Sequence, residues 1–180
     1  MGRVYNHRSE IETIAIGTDG LYGMGGTGTS SYLEKDKDGK YTKSVTDPNG
    51  TQRWDCSGFV GHCVGASTGE RYFATPGEGE WLGAHGFRDV KSKVGLSNGA
   101  NMRRGDILVY NKKGTDGAYA NGHTEIYWGN GQTLGARGGN GHPVGLHTGG
   151  TVSVSRSDPW QQCWRPKSLA IIKWTPYNYY

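Results

Sequence analysis

Two of the chain's three cysteines, Cys56 and Cys63, fall in the stretch WDCSGFVGHC, and six histidines are spread along the sequence. A thiol beside an imidazole can perform acyl transfer: the sulfur attacks a carbonyl, and the imidazole takes the thiol proton and hands it to the leaving group. Asp55 reads as the N-cap of a helix through CSGFVGHCVGA, with Phe59, Val60, Cys63 and Val64 as its apolar stripe. Cys56 then occupies the first helical position, where unpaired backbone N–H groups and the helix dipole favour the thiolate. Cys63 lies about two turns deeper on a similar face and reads as core packing. His62 is six positions along the same helix from Cys56, which turns it away by about 120°. His123, between the Gly-rich approach DGAYANG and the apolar run TEIYW, is the better candidate base. Residue types alone leave the plainer alternative open, a structural buried thiol and a surface imidazole.

These residues need a helix and a strand to bring them together. The order of patterns is helices first, then strands. Ser9 stands three residues before Glu12, with Ile11, Ile14 and Ala15 at helical spacing, a capping-box start for a short helix ended by Gly17. LYGMGGTG is too rich in glycine for a helix and reads as a loop whose backbone approaches something closely. It lacks the Lys-Ser/Thr ending and the preceding strand of a phosphate loop. Residues 29–53 read as a polar hairpin inserted at the surface, turning at Asp38-Gly39 with a second turn signal at DPNG. Asp36 and Asp38 do not complete a calcium loop, because the later acidic positions are missing. A second short helix is expected over GEGEWLGAHG, closed by Gly86. MRRGDILVYNK, the two runs around Gly129-Asn130-Gly131, and SVSRS read as strands. The expectation is an α+β domain with an antiparallel sheet and one helix packed on it, a single domain over residues 1–180, with WTPYNYY a final strand or, from 175 to 180, the start of a linker.

Composition narrows the function classes. Gly contributes 32 of 180 residues and apolar types 33%, so the core is modest and loops are many. Eleven Tyr and six Trp suit a surface that grips sugar or peptide faces. The formal charge of +4 is mild and its lysines and arginines are scattered, which argues against a nucleic-acid platform and is compatible with an anionic polymer such as a bacterial cell wall. No run approaches the roughly 18 apolar residues of a membrane span. The start, MGRVYNHRSE, lacks a secretory h-region. Three cysteines make neither a disulfide framework nor a zinc site, although a Cys63–Cys163 bridge would leave Cys56 free. No metal or other cofactor is expected.

Four segments in order carry a family resemblance. Asp55-Cys56-Ser57-Gly58-Phe59-Val60 resembles the nucleophile motif of the NlpC/P60 cysteine hydrolases of peptidoglycan. Tyr22 to Gly28, YGMGGTG, is similar to that family's upstream Tyr-x-x-Gly-Gly segment, Arg104 to Val109 to its Pro-Gly-Asp-Leu strand entry, and Gly122 to Gly131 to its His strand and turn. The resemblance implies a papain-like core with the catalytic Cys helix on an antiparallel sheet. It makes Cys56 the nucleophile and His123 the base, and puts Tyr22, Asp55 and Ser57 on the substrate and oxyanion side. The oxyanion would be held by the backbone N–H of Cys56, helped by Tyr22. The family carries a third polar residue on the next strand, where this chain has Gly135. Arg137 shares that strand face but cannot accept an imidazole N–H. Glu125 shares a strand face with His123 and is the favoured third member, with Asn140 and His142 as alternatives.

On this reading the protein hydrolyses an amide bond of peptidoglycan, as a stem-peptide endopeptidase or an N-acetylmuramoyl-L-alanine amidase. It would be a phage lysin let out by a holin, a virion component, or a domain excised from a larger protein, acting on the wall as a monomer without inserting in the membrane. Readings from other classes are a non-catalytic wall-binding module and an acyltransferase or deamidase on the same core.

Overall fold

The computed structural model describes residues 3–4, 20–147, 153–155, 158–167 and 173–174. The helix expected after Ser9 and the chain end beyond Trp174 lie outside them. In chain order the elements are β1 (Arg3–Val4), β2 (Leu21–Tyr22), β3 (Ser31–Lys35), β4 (Tyr41–Thr46), β5 (Arg53–Trp54), α1 (Cys56–Cys63), α2 (Thr75–Ala84) and β6 (Phe87–Asp89). A 3-10 turn at Lys91–Lys93 leads to β7 (Ile107–Lys113), β8 (Tyr119–Gly129), β9 (Gln132–Gly135), β10 (Gly145–His147), β11 (Ser153–Ser155), β12 (Asp158–Pro159), β13 (Gln162–Pro166) and β14 (Lys173–Trp174). The fold is α+β, built on a six-stranded sheet of order β10-β9-β8-β7-β13-β6 in which every neighbouring pair is antiparallel.

Local signals set the turns. Asn130 and Gly131 both take positive φ, 53° and 72°, as a two-residue hairpin turn between β8 and β9 requires. The β3–β4 hairpin turns at Asp36–Lys40, with Asp36 accepting the backbone N–H of Asp38 at 2.8 Å and of Lys40 at 3.0 Å. Pro76 sits in the first turn of α2, so the helix starts at Thr75, earlier than its glycine-rich sequence indicated. The YGMGGTG loop makes the close approach expected of it. Its partner is the chain leading into α1: Gly28 N–H donates to the Arg53 carbonyl at 2.7 Å and Asp55 N–H to the Gly26 carbonyl at 3.0 Å. At Gly28, with φ of +89°, a Cβ would run into the Trp54 ring.

Alternation along the strands separates two cores. Ile107, Val109, Ile126 and Leu134 face α1 and α2, packing with Phe59, Val60, Cys63 and Leu82. Leu108, Tyr110, Tyr127 and Cys163 face the other way, against Val90 and Trp160. Two helices therefore pack on the sheet where the sequence pattern led to one. Strands also precede α1, and β13, late in the chain, inserts between β7 and β6, which a helices-then-strands order does not anticipate. The three cysteines are free. Cys63 and Cys163 lie in the cores on opposite sides of the sheet, so the layer of strands stands between the two thiols and they form no bridge.

Candidate functional site

Asp55 has extended backbone and caps α1, its Oδ1 accepting the Gly58 N–H at 2.7 Å. The rest of its carboxylate is taken up by Arg71, whose Nη2 lies 2.7 Å from Oδ2 and Nη1 3.1 Å from Oδ1, and by the Gly25 N–H at 3.1 Å. Ser57 is buried beside it, its Oγ accepting Arg71 Nη1 at 2.7 Å. Both side chains expected on the substrate side are thus bonded within the fold, where they hold the start of α1. Arg71, sixteen residues from Asp55, gave no sequence signal, because neither spacing nor pattern links it to the cap.

Cys56 follows the cap and is 9% exposed. Its sulfur accepts the backbone N–H groups of Thr124 and Ser57. Burial nevertheless pushes the thiol well above its ordinary range, and the charge of Asp55 pushes the same way. The helix start alone led to a stabilised thiolate. In the folded protein desolvation wins, and Cys56 rests as a thiol.

Thr124 follows His123 on β8. The register sets Ile126 opposite Leu134 of β9, which puts Gly135, the last residue of β9, level with Glu125. The edge of β8 at Thr124 is therefore open, and Cys56 meets it there. His123 and Glu125 pair across to Tyr110 and Leu108 and share one strand face. Nε2 of His123 is 2.8 Å from Glu125 Oε1. A carboxylate only accepts, so Nε2 carries the proton and Nδ1 is left as the basic nitrogen. The Trp160 ring stacks on the imidazole, centroids 5.9 Å apart at 22°.

Glu125 is fully buried. Burial raises its carboxyl, but the hydrogen bond from His123 and the charge of Arg137 outweigh it and hold the group below its usual range. Arg137 Nε is 3.2 Å from the same Oε1. Arg137 cannot accept from the imidazole, yet it supports the acid that does, a role visible only once Glu125 has to be neutralised. Gly135 also finds its reason here. A Cβ at that position would lie 2.7 Å from Glu125 Cγ, so the missing side chain is the room that Glu125 occupies.

The other expected residues have partners of their own. Asn140 accepts Met24 N–H at 2.9 Å and donates to the Leu33 carbonyl at 2.9 Å, tying two loops together. His142 is exposed, and its carbonyl accepts Tyr22 N–H at 2.6 Å. Tyr22 is partly buried against the core and pairs with Trp54, two residues before Cys56. His62 bonds the Ala66 carbonyl at 2.8 Å at the far end of α1. Glu78 of α2, a buried acid near Cys56, was missed, although its spacing from Thr75 and Leu82 puts it on the buried stripe.

Among the described residues no group of three His, Cys, Asp or Glu side chains is disposed to hold a metal ion, and no helix is long and apolar enough to cross a membrane. No curated protein and no solved structure matches the chain. The profile of the Amidase_5 family, described as bacteriophage peptidoglycan hydrolase, matches residues 30–148 of the 180, a span that includes the β3–β4 hairpin, the cap of α1, and the whole of β8 and β9. By that match the chain belongs to the bacteriophage peptidoglycan hydrolases.

Proposed function

We propose that this peptidoglycan hydrolase cuts an amide bond of the wall as a cysteine hydrolase, with Cys56 as nucleophile, His123 as base and Glu125 as the residue that orients the base. One observation carries the reading: a buried His123–Glu125 pair at 2.8 Å immediately precedes and follows Thr124, the residue whose backbone N–H meets the Cys56 sulfur. The proposal includes a papain-like core of the NlpC/P60 kind, a reading supported by the thiol at a helix start and the imidazole on a strand of the antiparallel sheet.

The thiol is neutral at rest, so its proton leaves during attack. Nδ1 of His123 takes it while the sulfur adds to the amide carbonyl, and Glu125 stabilises the imidazolium that forms. The backbone N–H of Cys56 holds the oxyanion, with Tyr22 beside it; one such donor is worth about 3 kcal/mol of barrier. The imidazolium then protonates the leaving amine, leaving a thioester. Water, deprotonated by His123, hydrolyses the thioester and frees the acid. Asp55 and Ser57 serve by fixing the helix start. The substrate amide is either the muramoyl-alanine bond or a peptide bond of the stem, in a protein that reaches the wall as a released lysin or as part of a virion.

The test is turbidity loss of purified cell walls with the parent, Cys56→Ala and the double variant Cys63→Ser/Cys163→Ser. The parent and the double variant should clear the suspension and Cys56→Ala should not. Binding to walls without clearing by the parent would make it a non-catalytic module, and clearing by Cys56→Ala would remove the thiol from the chemistry. Mass spectrometry of the fragments separates a new muramoyl end, the mark of an amidase, from a free amine within the stem or cross-bridge.

A further inference from the structure

Glu78 has no cationic partner among the described residues, although it is wholly buried beneath the site on α2. Its Oε1 accepts the Thr124 hydroxyl at 2.7 Å, while Oε2 has no hydrogen-bond partner among the described residues. A buried acid without a cation costs free energy that an apolar side chain of similar size would avoid. Its presence there points to a task that leucine cannot do. Thr124 is also fully buried. It stands between His123 and Glu125, its side chain points to the helices, and its backbone N–H donates to Cys56 Sγ. The Glu78–Thr124 hydrogen bond ties α2 to Thr124 of β8, whose backbone lies at the sulfur.

We propose that Glu78 is a positioning residue for the nucleophile: by gripping the Thr124 hydroxyl from the helix side, it keeps the Thr124 backbone N–H on Cys56 Sγ and the neighbouring His123 in register with the thiol. The proposal rests on Cys56 as nucleophile. It also requires Glu78 to stay protonated, because a carboxylate there would oppose the negative charge that grows on sulfur. Burial, reinforced by the nearby charge of Asp55, raises the Glu78 carboxyl well above its ordinary range and so favours its neutral form. A neutral amide should therefore replace the acid, and an alkyl chain should not.

The experiment uses the full chain with Cys63→Ser/Cys163→Ser, so that Cys56 is the only thiol. It compares Glu78→Gln, Glu78→Leu, Thr124→Val and Glu78→Leu/Thr124→Val. Three quantities are read: the rate of Cys56 alkylation by iodoacetamide, kcat and KM on soluble peptidoglycan fragments, and the circular dichroism spectrum. Glu78→Leu and Thr124→Val should each slow alkylation and lower kcat by about tenfold, the order expected when a hydrogen bond to a developing charge is misplaced, with KM changed less than about twofold. Glu78→Gln should recover the parent rates to within about threefold, and the double variant should be no more than about twofold below either single one, since both act through one contact.

The proposal is overturned if folded Glu78→Leu keeps the parent's alkylation rate and kcat, if Glu78→Gln is as impaired as Glu78→Leu, or if the two losses multiply. Should Glu78→Leu fail to fold, Thr124→Val and Glu78→Gln decide: loss in the first with recovery in the second supports the grip, and parent-like rates in Thr124→Val refute it. If Cys56→Ala still clears cell walls, the nucleophile assignment falls, while the alkylation rates still report whether Glu78 holds Thr124 on the sulfur.

Discussion

Replacing Gly135 by Ala adds one methyl group and tests the proposed catalytic geometry. The new Cβ would stand 2.7 Å from Glu125 Cγ, 3.2 Å from Cδ and 3.3 Å from Cβ, where ordinary contact begins at 3.4 Å. Gly135 does not have positive φ, so the backbone accepts alanine and the perturbation is steric. Relief requires Glu125 to move by several tenths of an ångström. Its carboxylate, at the end of that side chain, then leaves the 2.8 Å hydrogen bond to His123. Overpacking of this kind costs about 1–3 kcal/mol of stability. A misplaced base can lower a rate by about 10²-fold. The prediction is that Gly135→Ala remains folded, with a lowered melting temperature, and clears cell walls about 10²-fold more slowly than the parent. In a Glu125→Ala background the same substitution should add almost nothing, because the clashing side chain is gone. Gly135→Ala clearing walls within about threefold of the parent, or an equal penalty in both backgrounds, would refute the link from Gly135 through Glu125 to the base.

Two further outcomes follow from the same contacts. Asp55→Ala removes a helix cap and should cost about 0.5–2 kcal/mol in urea unfolding; Arg71→Ala, which leaves the cap in place, should cost less, and the opposite order would show that the ion pair and not the cap holds α1. Acid stability should carry the mark of Glu125. Its folded value lies below the ordinary 4.5, so its contribution is present above about pH 4.5 and lost as pH falls through the folded value. The stability gap between the parent and Glu125→Gln, read by urea unfolding, should therefore narrow between about pH 6 and pH 3, and a gap independent of pH would show that ionisation of Glu125 is not coupled to folding.

What could be read along the chain is what short-range chemistry controls. The Asp55 cap and Cys56 at the first helical position follow from residues within one turn of each other. Turns at Asp38-Gly39 and Asn130-Gly131 follow from residues that tolerate positive φ, and the shared face of His123 and Glu125 follows from the two-residue period of a strand. The antiparallel sheet was legible in its runs and turns, and the motifs of β8 and α1 pointed to a wall hydrolase, in keeping with the family match. Tertiary structure decided everything that depends on two segments meeting. Strand order is one case: β13 lies between β7 and β6, and no local pattern says which strands it will pair with. The surroundings of the thiol are another, since a helix start by itself favours the thiolate while burial, with the charge of Asp55 adding to it, raises the thiol. Gly135 is the clearest. In the sequence it is a missing side chain, and in the fold it is the space filled by Glu125 from the neighbouring strand, because packing is a property of pairs of surfaces and one strand does not encode the shape of the next.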